Sequence, residues 1–176
     1  MSGLQSKDFE TLALPLLDRL YNFARWLCGD PDEARDLVQE TFARALRNCS
    51  SFREGTNFRG WMFTILRNAY LTSRTALERR NTSQEDEDFE DSASGADNPE
   101  TILIRRADTE LVWQAIEKLP PNFREVLLLA DIEEMKYQEI ADVLDVPIGT
   151  IMSRLARARK LVREYIVVTL GVKHDM

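Results

Sequence analysis

The chain has 176 residues, of which 44% are hydrophobic and 30% charged, so it can bury the core of one ordinary domain or of two small ones. No apolar run approaches the roughly 18 residues of a membrane span, and the start lacks a signal-peptide pattern, so we expect a cytoplasmic protein without membrane insertion. The formal net charge is −7, but residues 81–100 carry eight acids and no Lys or Arg, which leaves +1 on the rest. The net charge therefore does not exclude a nucleic-acid partner.

The inventory of reactive side chains argues against an enzyme. The only histidine is His174, and the two cysteines, Cys28 and Cys49, have no CxxC partner. These residues assemble no zinc site and no Ser–His–acid or Cys–His catalytic group, and the sequence has no glycine-rich phosphate loop. We therefore expect no catalytic residue, metal, cofactor or small-molecule substrate. The cysteines are most simply small hydrophobic residues of a reduced protein, with a redox-sensing thiol as the alternative.

Two helices are predicted before residue 48. The first spans about Asp8 to Leu27 and either begins or bends at Pro15, because proline lacks the N–H of the helical hydrogen bond. Asp30, followed by a proline and two further acids, caps a second helix that ends near Arg47. Its spacing predicts an inner face made of Leu37, Val38, Thr41 and Ala45.

A third helix, from about Phe58 to Arg74, follows a loop over Asn48–Thr56, and Thr56 or Asn57 can cap it. The positions predicted to be buried are Phe58, Trp61, Met62, Ile65 and Ala69. Projected at about 100° per residue, the opposite side holds Arg59, Phe63, Arg67, Tyr70 and Arg74. An outward face of aromatics and arginines is typical of a single-strand binder, in which bases stack on the rings. The alternative is that Phe63 and Tyr70 pack on another helix or on a protein partner.

The acidic, polar segment over residues 81–98 has almost no large apolar groups, which predicts a flexible linker. Helix restarts at Asn98-Pro99-Glu100, two prolines break it after Leu119, and Phe123–Ala130 predicts a short, nearly all-apolar helix. The apolar positions of the restarted helix are Ile102, Leu103, Leu111, Val112, Ala115 and Ile116. The fold class predicted by these patterns is all-α, with two small helical domains joined by the linker.

A helix-turn-helix is predicted over Tyr137–Lys160. Its first helix ends near Leu144, Asp145 and Val146 form the turn, and the second helix begins near Pro147. The second helix has an apolar stripe of Ile148, Ile151, Leu155, Ala158 and Val162. The other side holds Gly149, Thr150, Ser153, Arg157 and Lys160, with Arg154 on the flank. Hydroxyls and guanidiniums with no acid nearby suit the DNA major groove, and a core helix with a solvated basic face is the alternative.

Three stretches of the chain resemble the signature blocks of the bacterial extracytoplasmic-function (ECF, group 4) RNA polymerase sigma factors of the sigma-70 family. They are DLVQETFARAL (36–46), NFRGWMFTILRN (57–68) and LPPNFREVLLLADIEEMKYQEIADVLDVPIGTIMSRLARARK (119–160). The resemblance implies sigma domain 2 over residues 8–80, an acidic flexible linker over 81–98, and sigma domain 4 over 99–172. It also implies promoter-specific transcription initiation, in which the polymerase, not this chain, performs the catalysis.

The resemblance assigns residues to partners. Contacts with the β′ clamp helices of core RNA polymerase are implied for Asp36, Gln39, Glu40, Phe42 and Leu46. Recognition and melting of the minus-ten promoter element are implied for Asn57, Arg59, Phe63, Arg67, Asn68, Tyr70 and Arg74, beside a pocket loop over Phe52–Asn57. Duplex minus-thirty-five contacts are implied for Thr150, Ser153, Arg154, Arg157 and Lys160. The Phe123–Ala130 helix resembles the seat of the β flap tip.

The resemblance further implies a role in a stress or envelope response and control by an anti-sigma factor. Two stretches depart from the family pattern: Met152 stands where Lys or Arg is common, and Leu71–Ser73 stands where many members have charged residues. The alternative function is a stand-alone helix-turn-helix repressor or activator whose N-terminal unit serves dimerisation or sensing.

Overall fold

The computed structural model describes residues 3–81 and 107–171. Within these two ranges the backbone forms helices, turns and loops and no β-strand. Contacts divide the chain into two compact units, with the division between Gly95 and Ala96. The all-α prediction with two helical units is confirmed. The predicted linker beyond Asn81, the helix restart at Asn98 and His174 lie outside the described residues.

The first unit begins with helix α1 (Ser6–Ala13), a 3-10 turn (Leu14–Leu16) and helix α2 (Leu17–Cys28). Pro15 lies inside the 3-10 turn, so the predicted interruption of the first helix is confirmed. Gly29 ends α2 in the left-handed region at φ 72°, where a residue without a Cβ has little strain.

Helix α3 (Pro31–Arg47) begins and packs as predicted. The Asp30 carboxylate accepts hydrogen bonds from the backbone N–H groups of Asp32 (2.8 Å) and Glu33 (3.0 Å), which satisfies two unpaired donors of the first turn. Its buried face is Ala34, Leu37, Val38, Thr41 and Ala45. The Thr41 hydroxyl, fully buried, donates to the Leu37 carbonyl oxygen at 2.7 Å, so the one polar side chain of this face is satisfied.

Helix α4 (Phe58–Asn81) runs seven residues beyond the predicted end at Arg74. The preceding loop contains a 3-10 turn (Cys49–Ser51), and the Asn57 side-chain oxygen accepts from the Gly60 N–H at 3.1 Å, as a capping residue does. Both α2 and α4 pack on α3. The centre of this core is the pair Phe23 and Phe63, with ring centroids 5.4 Å apart.

The second unit contains helix α5 (Ala107–Glu117), helix α6 (Pro121–Leu127) with a π-helical turn after it (Leu128–Ile132), helix α7 (Tyr137–Leu144) and helix α8 (Ile148–Thr169). The predicted break at Pro120 and Pro121 is confirmed. The Arg124 guanidinium closes that break, because it donates to the carbonyl oxygens of Ile116 (3.3 Å), Glu117 (2.6 Å) and Leu119 (3.1 Å). The guanidinium thereby pairs with carbonyl oxygens at the end of α5 and in the break, where the helical hydrogen-bond pattern stops.

The core of the second unit corrects one prediction. Ile148, assigned to the apolar stripe, is 43% exposed, because it lies in the first turn of α8, before the positions that pack; Ile151, Leu155 and Ala158 are buried. Residues 126–129 of the short apolar helix are also buried in the unit itself. A flap seat on this helix would therefore consist of its half-buried ends, Phe123 and Ala130, and exposed Ile132. Among the described helices, none has the length and apolarity to cross a membrane.

Candidate nucleic-acid interface

The helix-turn-helix is confirmed, and one side of α8 is held outward. Asp145 adopts the left-handed conformation at φ 53°, and the Val146 N–H donates to the Ala141 carbonyl oxygen at 3.2 Å, so the chain turns sharply after α7. Ala141 is buried, which gives α8 a small residue to cross. The helix begins one residue later than predicted, with Pro147 as its cap residue. Packing of its apolar stripe then fixes which side chains face solvent.

The residues predicted to read the minus-thirty-five element lie on this outward side. Ser153, Arg157 and Lys160 are exposed, and Thr150 and Arg154 are half-buried at its edge. The Ser153 hydroxyl donates to the Thr150 carbonyl oxygen at 3.1 Å, and Lys160 is 3.9 Å from Glu164, a loose ion pair between exposed groups. The side therefore presents hydroxyls and cations of the kind that contact bases and phosphates in a major groove.

Arg159 has a different environment from its basic neighbours on α8. It donates to both carboxylate oxygens of Asp131, at 2.7 and 3.2 Å, across 28 residues of sequence. The hydrogen bonds that Arg159 makes with Asp131, and then with Tyr137, hold the pKa of Arg159 above its ordinary value. Asp131 belongs to the π-helical turn and Tyr137 begins α7, so one guanidinium joins three elements of the motif. Its spacing in the sequence does not distinguish it from the arginines that face outward.

The predicted polymerase-binding residues form an exposed strip on α3. Asp36, Gln39 and Glu40 are exposed and Leu46 is 46% exposed, whereas Phe42 is half-buried with its ring 6.4 Å from that of Phe9. The strip carries internal ion pairs, because Arg44 lies 2.7 Å and Arg47 3.7 Å from the Glu40 carboxylate. The hydrogen bond from Arg44 lowers the pKa of Glu40 below its usual value, because it favours the ionised carboxylate.

The packed side of α4 lies between the two predicted faces: Met62 and Ala69 are buried as predicted, and Phe63, predicted to face outward, is buried with them. Phe63 is fully buried against Phe23, and the prediction that it faces solvent is wrong. The other members of that predicted face, Arg59, Arg67, Tyr70 and Arg74, are half-buried. Arg74 lies over the Tyr70 ring, 5.1 Å from its centroid, so this pair already forms a cation–π contact within the chain. The packing alternative therefore holds for Phe63.

The exposed side of α4 lies between the two predicted faces. Asn68 is exposed, as are Leu71 and Thr72, and Thr64 and Ile65 toward the start of the helix are half-buried. Trp61, predicted as core, is also half-buried and lies at the edge of this side. Of the residues assigned to the minus-ten element, only Asn57 and Asn68 are exposed. The spacing of apolar residues did not predict which side of α4 is exposed, because the helix has large apolar residues around most of its circumference.

An aromatic cluster holds the loop before α4. Phe52 is 6% exposed, and its ring centroid lies 5.2 Å from that of Phe58 and 5.1 Å from that of Trp61. Such distances are those of favourable aromatic pairs, worth about 0.5–1.5 kcal/mol each beyond burial. Beyond Phe52 the loop is exposed through Asn57, with Gly55 in the left-handed region at φ 84°. The loop thus has an anchored start and an exposed tip, and Asn68 is exposed about three turns further along α4.

Neither cysteine has the environment of a reactive thiol. Burial, together with the nearby carboxylates of Glu33 and Asp30, raises the pKa of Cys28 from 9.0 to about 11, although Arg74 acts in the opposite direction. A thiol with this pKa is almost entirely protonated at neutral pH, and the thiolate is the reactive form. Cys49 is buried. The geometry therefore favours small hydrophobic residues over a redox sensor.

Each of the two helical units, the first with its anchored loop before α4 and the second with the helix-turn-helix, matches a family of the sigma-70 type. Residues 12–80 match the family described as Sigma-70 region 2, and residues 109–162 match Sigma-70, region 4. The two matches fall in separate units and in chain order.

Relatives narrow the class. The chain is 36% identical over 146 residues to the ECF RNA polymerase sigma factor EcfG of Rhodopseudomonas palustris, a match that covers 83% of this chain and 78% of the relative. It is also 36% identical over 149 residues to SigE of Mycolicibacterium smegmatis, covering 85% of this chain but only 58% of the length of that relative. The chain belongs to the family of ECF RNA polymerase sigma factors.

A solved structure agrees with this assignment. The sigma factor RpoE from Bartonella quintana, in complex with the anti-sigma factor NepR, shares 31% sequence identity with this chain. The superposition has a TM-score of 0.79 and covers 97% of this chain and 99% of the other. The prediction of an ECF sigma factor is thereby confirmed, while its group 4 subgroup stays a prediction.

Proposed function

We propose that this chain is a promoter-specificity subunit that binds core RNA polymerase, recognises promoter DNA with both units and leaves the chemistry of transcription to the polymerase. The observation that supports the proposal most directly is the family match of both units, region 2 and region 4, in one chain. A stand-alone repressor would account for the helix-turn-helix but not for a region 2 unit. A sigma factor works where the polymerase and the chromosome are, so the proposed location is the cytoplasm.

The polymerase-binding role is proposed for the exposed strip on α3. Its acids and exposed Leu46 lie on the side of α3 opposite the core, so a partner can cover them without disturbing the packing of α2 and α4. An apolar group rimmed by charges is typical of the edge of a protein interface. The proposed partner is the β′ clamp helices, as the resemblance implies, and the flap contact is proposed for Phe123, Ala130 and Ile132.

The minus-ten role is proposed for the exposed side of α4 and the adjoining loop. Asn68 and the loop through Asn57 are accessible to flipped bases, and half-buried Trp61 keeps part of its surface accessible for stacking. Base stacking on an aromatic ring is worth about 1–3 kcal/mol, which offsets part of the unstacking energy of the duplex. Half-buried Arg59, Arg67 and Arg74 are proposed to contribute positive charge toward the phosphate backbone, and Tyr70 to hold Arg74.

The minus-thirty-five role is proposed for the outward side of α8. Arg154 and Arg157, with Thr150 and Ser153, lie where a recognition helix meets base edges, and Lys160 lies one turn further along, where phosphates would be in reach. A bidentate contact from one arginine to a guanine is worth about 1–3 kcal/mol of discrimination. Met152, 54% exposed beside this side, cannot make the phosphate contact that a cation would make there.

Control by an anti-sigma factor is proposed from the structural relative, whose sigma factor was solved with the anti-sigma factor NepR. An inhibitor of that kind would cover the polymerase-binding strip and release it on a stress or envelope signal. We also propose that the chain belongs to group 4, because its three sequence blocks resemble the signature blocks of that group.

The deciding experiment is transcription in vitro with core polymerase, with and without this protein, on a pool of genomic promoter fragments. We expect specific transcripts that depend on the protein. Arg154→Ala should weaken use of the recovered promoters by about 1–3 kcal/mol, or roughly 5- to 150-fold. Arg163→Ala removes the same charge from the opposite side of α8 and serves as the matched control. Absence of any specific transcript, together with dimer binding to a palindromic duplex without polymerase, would establish the repressor instead.

A further inference from the structure

The first described residues pack on the unit although they precede the part that matches region 2. Leu4 is 5% exposed and Phe9 is 3% exposed, whereas the region 2 match begins at residue 12. A short polar segment before a domain would ordinarily expose its apolar side chains, so two buried ones indicate a specific seat.

That seat lies at both ends of the pocket loop. Near its start, Gly3 approaches the backbone of Ser50 so closely that an added Cβ would collide with the Ser50 carbonyl group. Beyond its end, the Phe9 ring lies edge-on to Phe58, with centroids 6.0 Å apart. The same Phe58 ring packs against Phe52 within the loop. The segment therefore contacts residues on either side of the exposed tip.

We propose that residues 3–9 form a brace that fixes the pocket loop, and that Gly3 and Leu4 are positioning residues for binding of the melted minus-ten strand. The inference rests on the minus-ten role proposed above for that loop. A loop whose ends are held at a fixed span samples fewer conformations, so less ordering is required when bases enter the pocket. Release of the brace removes the contacts of Gly3 with Ser50 and of Phe9 with Phe58, so the loop keeps only the aromatic cluster at its start and the Asn57 cap at its end.

The first test concerns the loop itself and needs no promoter. Arg53 is exposed in the loop and offers trypsin a cleavage site. In the full chain, Leu4→Ala and Gly3→Ala should accelerate cleavage after Arg53 about tenfold, since cleavage requires local opening. Leu14→Ala removes an equal side chain that is 60% exposed in the nearby 3-10 turn, and should leave the rate unchanged. Equal rates in all four proteins would overturn the brace.

The second test measures the function of the brace. Holoenzyme made with each variant is titrated with single-stranded non-template DNA spanning the minus-ten element of a promoter recovered in transcription. We expect Leu4→Ala to lose about tenfold in affinity, or about 1.4 kcal/mol, with core binding kept and the first unit still folded at the assay temperature, and Leu4→Met to restore it. Faster cleavage with unchanged strand affinity would refute a positioning role. Failure to recover any promoter would defeat the proposed function, while the cleavage result still decides whether the brace exists.

Discussion

Replacement of Phe63 by alanine should strongly destabilise the first unit, because this ring lies in the core and not on a DNA-binding surface. Phe63 is fully buried and packs on Phe23 at 5.4 Å. Truncation of a buried phenylalanine costs about 3–5 kcal/mol, a large part of the roughly 5–15 kcal/mol that stabilises a small domain. The milder Phe63→Leu should cost less than about 1.5 kcal/mol. Leu71→Ala, on the exposed side of the same helix, should change stability by less than about 0.5 kcal/mol.

Urea unfolding followed by circular dichroism measures these differences, and a double-mutant cycle of Phe63→Leu with Phe23→Leu isolates the contact between the rings. We expect an interaction energy of about 0.5–1.5 kcal/mol for the pair. Unchanged stability of Phe63→Ala, combined with a specific loss of promoter opening that a premelted template rescues, would refute this reasoning and make the ring a base-stacking residue.

Three further outcomes follow from the described contacts. Asp30→Ala should lower the free energy of unfolding by about 1 kcal/mol in urea titration, because two N–H groups of α3 lose their acceptor; no change would show the cap to be redundant. Cys28 should resist alkylation by iodoacetamide in the folded protein at pH 7–8, and rapid labelling at neutral pH would contradict its raised pKa. Because the thiol ionises at a lower pH in the unfolded chain than in the folded one, the free energy of unfolding should fall between pH 9 and about 11. Asp131→Asn should lower the free energy of unfolding by about 0.5–1 kcal/mol at low salt and by less at 1 M salt, because its ion pair with Arg159 is partly exposed. Glu164→Gln, which removes the 3.9 Å pair with Lys160, should change the free energy of unfolding very little, and equal effects of the two substitutions would remove any special role for Arg159.

Helix α3 shows what the sequence predicts well. Its apolar residues form a single stripe, its start carries an aspartate and a proline, and both the cap and the buried face were predictable. The helix-turn-helix was predictable for the same reason, since α8 has one apolar side and one basic side. Ile148 is the exception, since it was predicted to be part of the packed stripe but is exposed. The apolar pattern of α8 does not reveal how far its packing against the neighbouring helices extends.

Helix α4 shows where the sequence is insufficient. Phe58, Phe63, Ile65, Leu66 and Leu71 point in several directions around the helix, so periodicity alone permits more than one inward side. Only packing against α2 and α3 selects the side that holds Phe63. The choice between a base-stacking ring and a core ring is therefore a tertiary property, which local spacing does not contain.

Contacts between distant residues were equally out of reach of pattern analysis. The Asp131–Arg159 pair depends on the π-helical turn, and no local signal in the sequence predicts either that turn or its partner on α8. The contact of Gly3 with Ser50 joins a segment outside the matched family region to a loop inside it. Such contacts determine where the candidate site residues lie, and the prediction of helices alone does not reveal them.

The Arg124 guanidinium has a consequence for building chimaeric sigma factors by module exchange. The side chain belongs to α6, yet its three acceptors lie at the end of α5 and in the break that follows. The break at the two prolines looks like a natural place to join segments of two parent sigma factors. A junction there, however, would combine α5 of one parent with the capping arginine of the other. A graft that begins before Ala107 transfers α5 and Arg124 together, so the carbonyl oxygens at the end of α5 keep the arginine with which they pair.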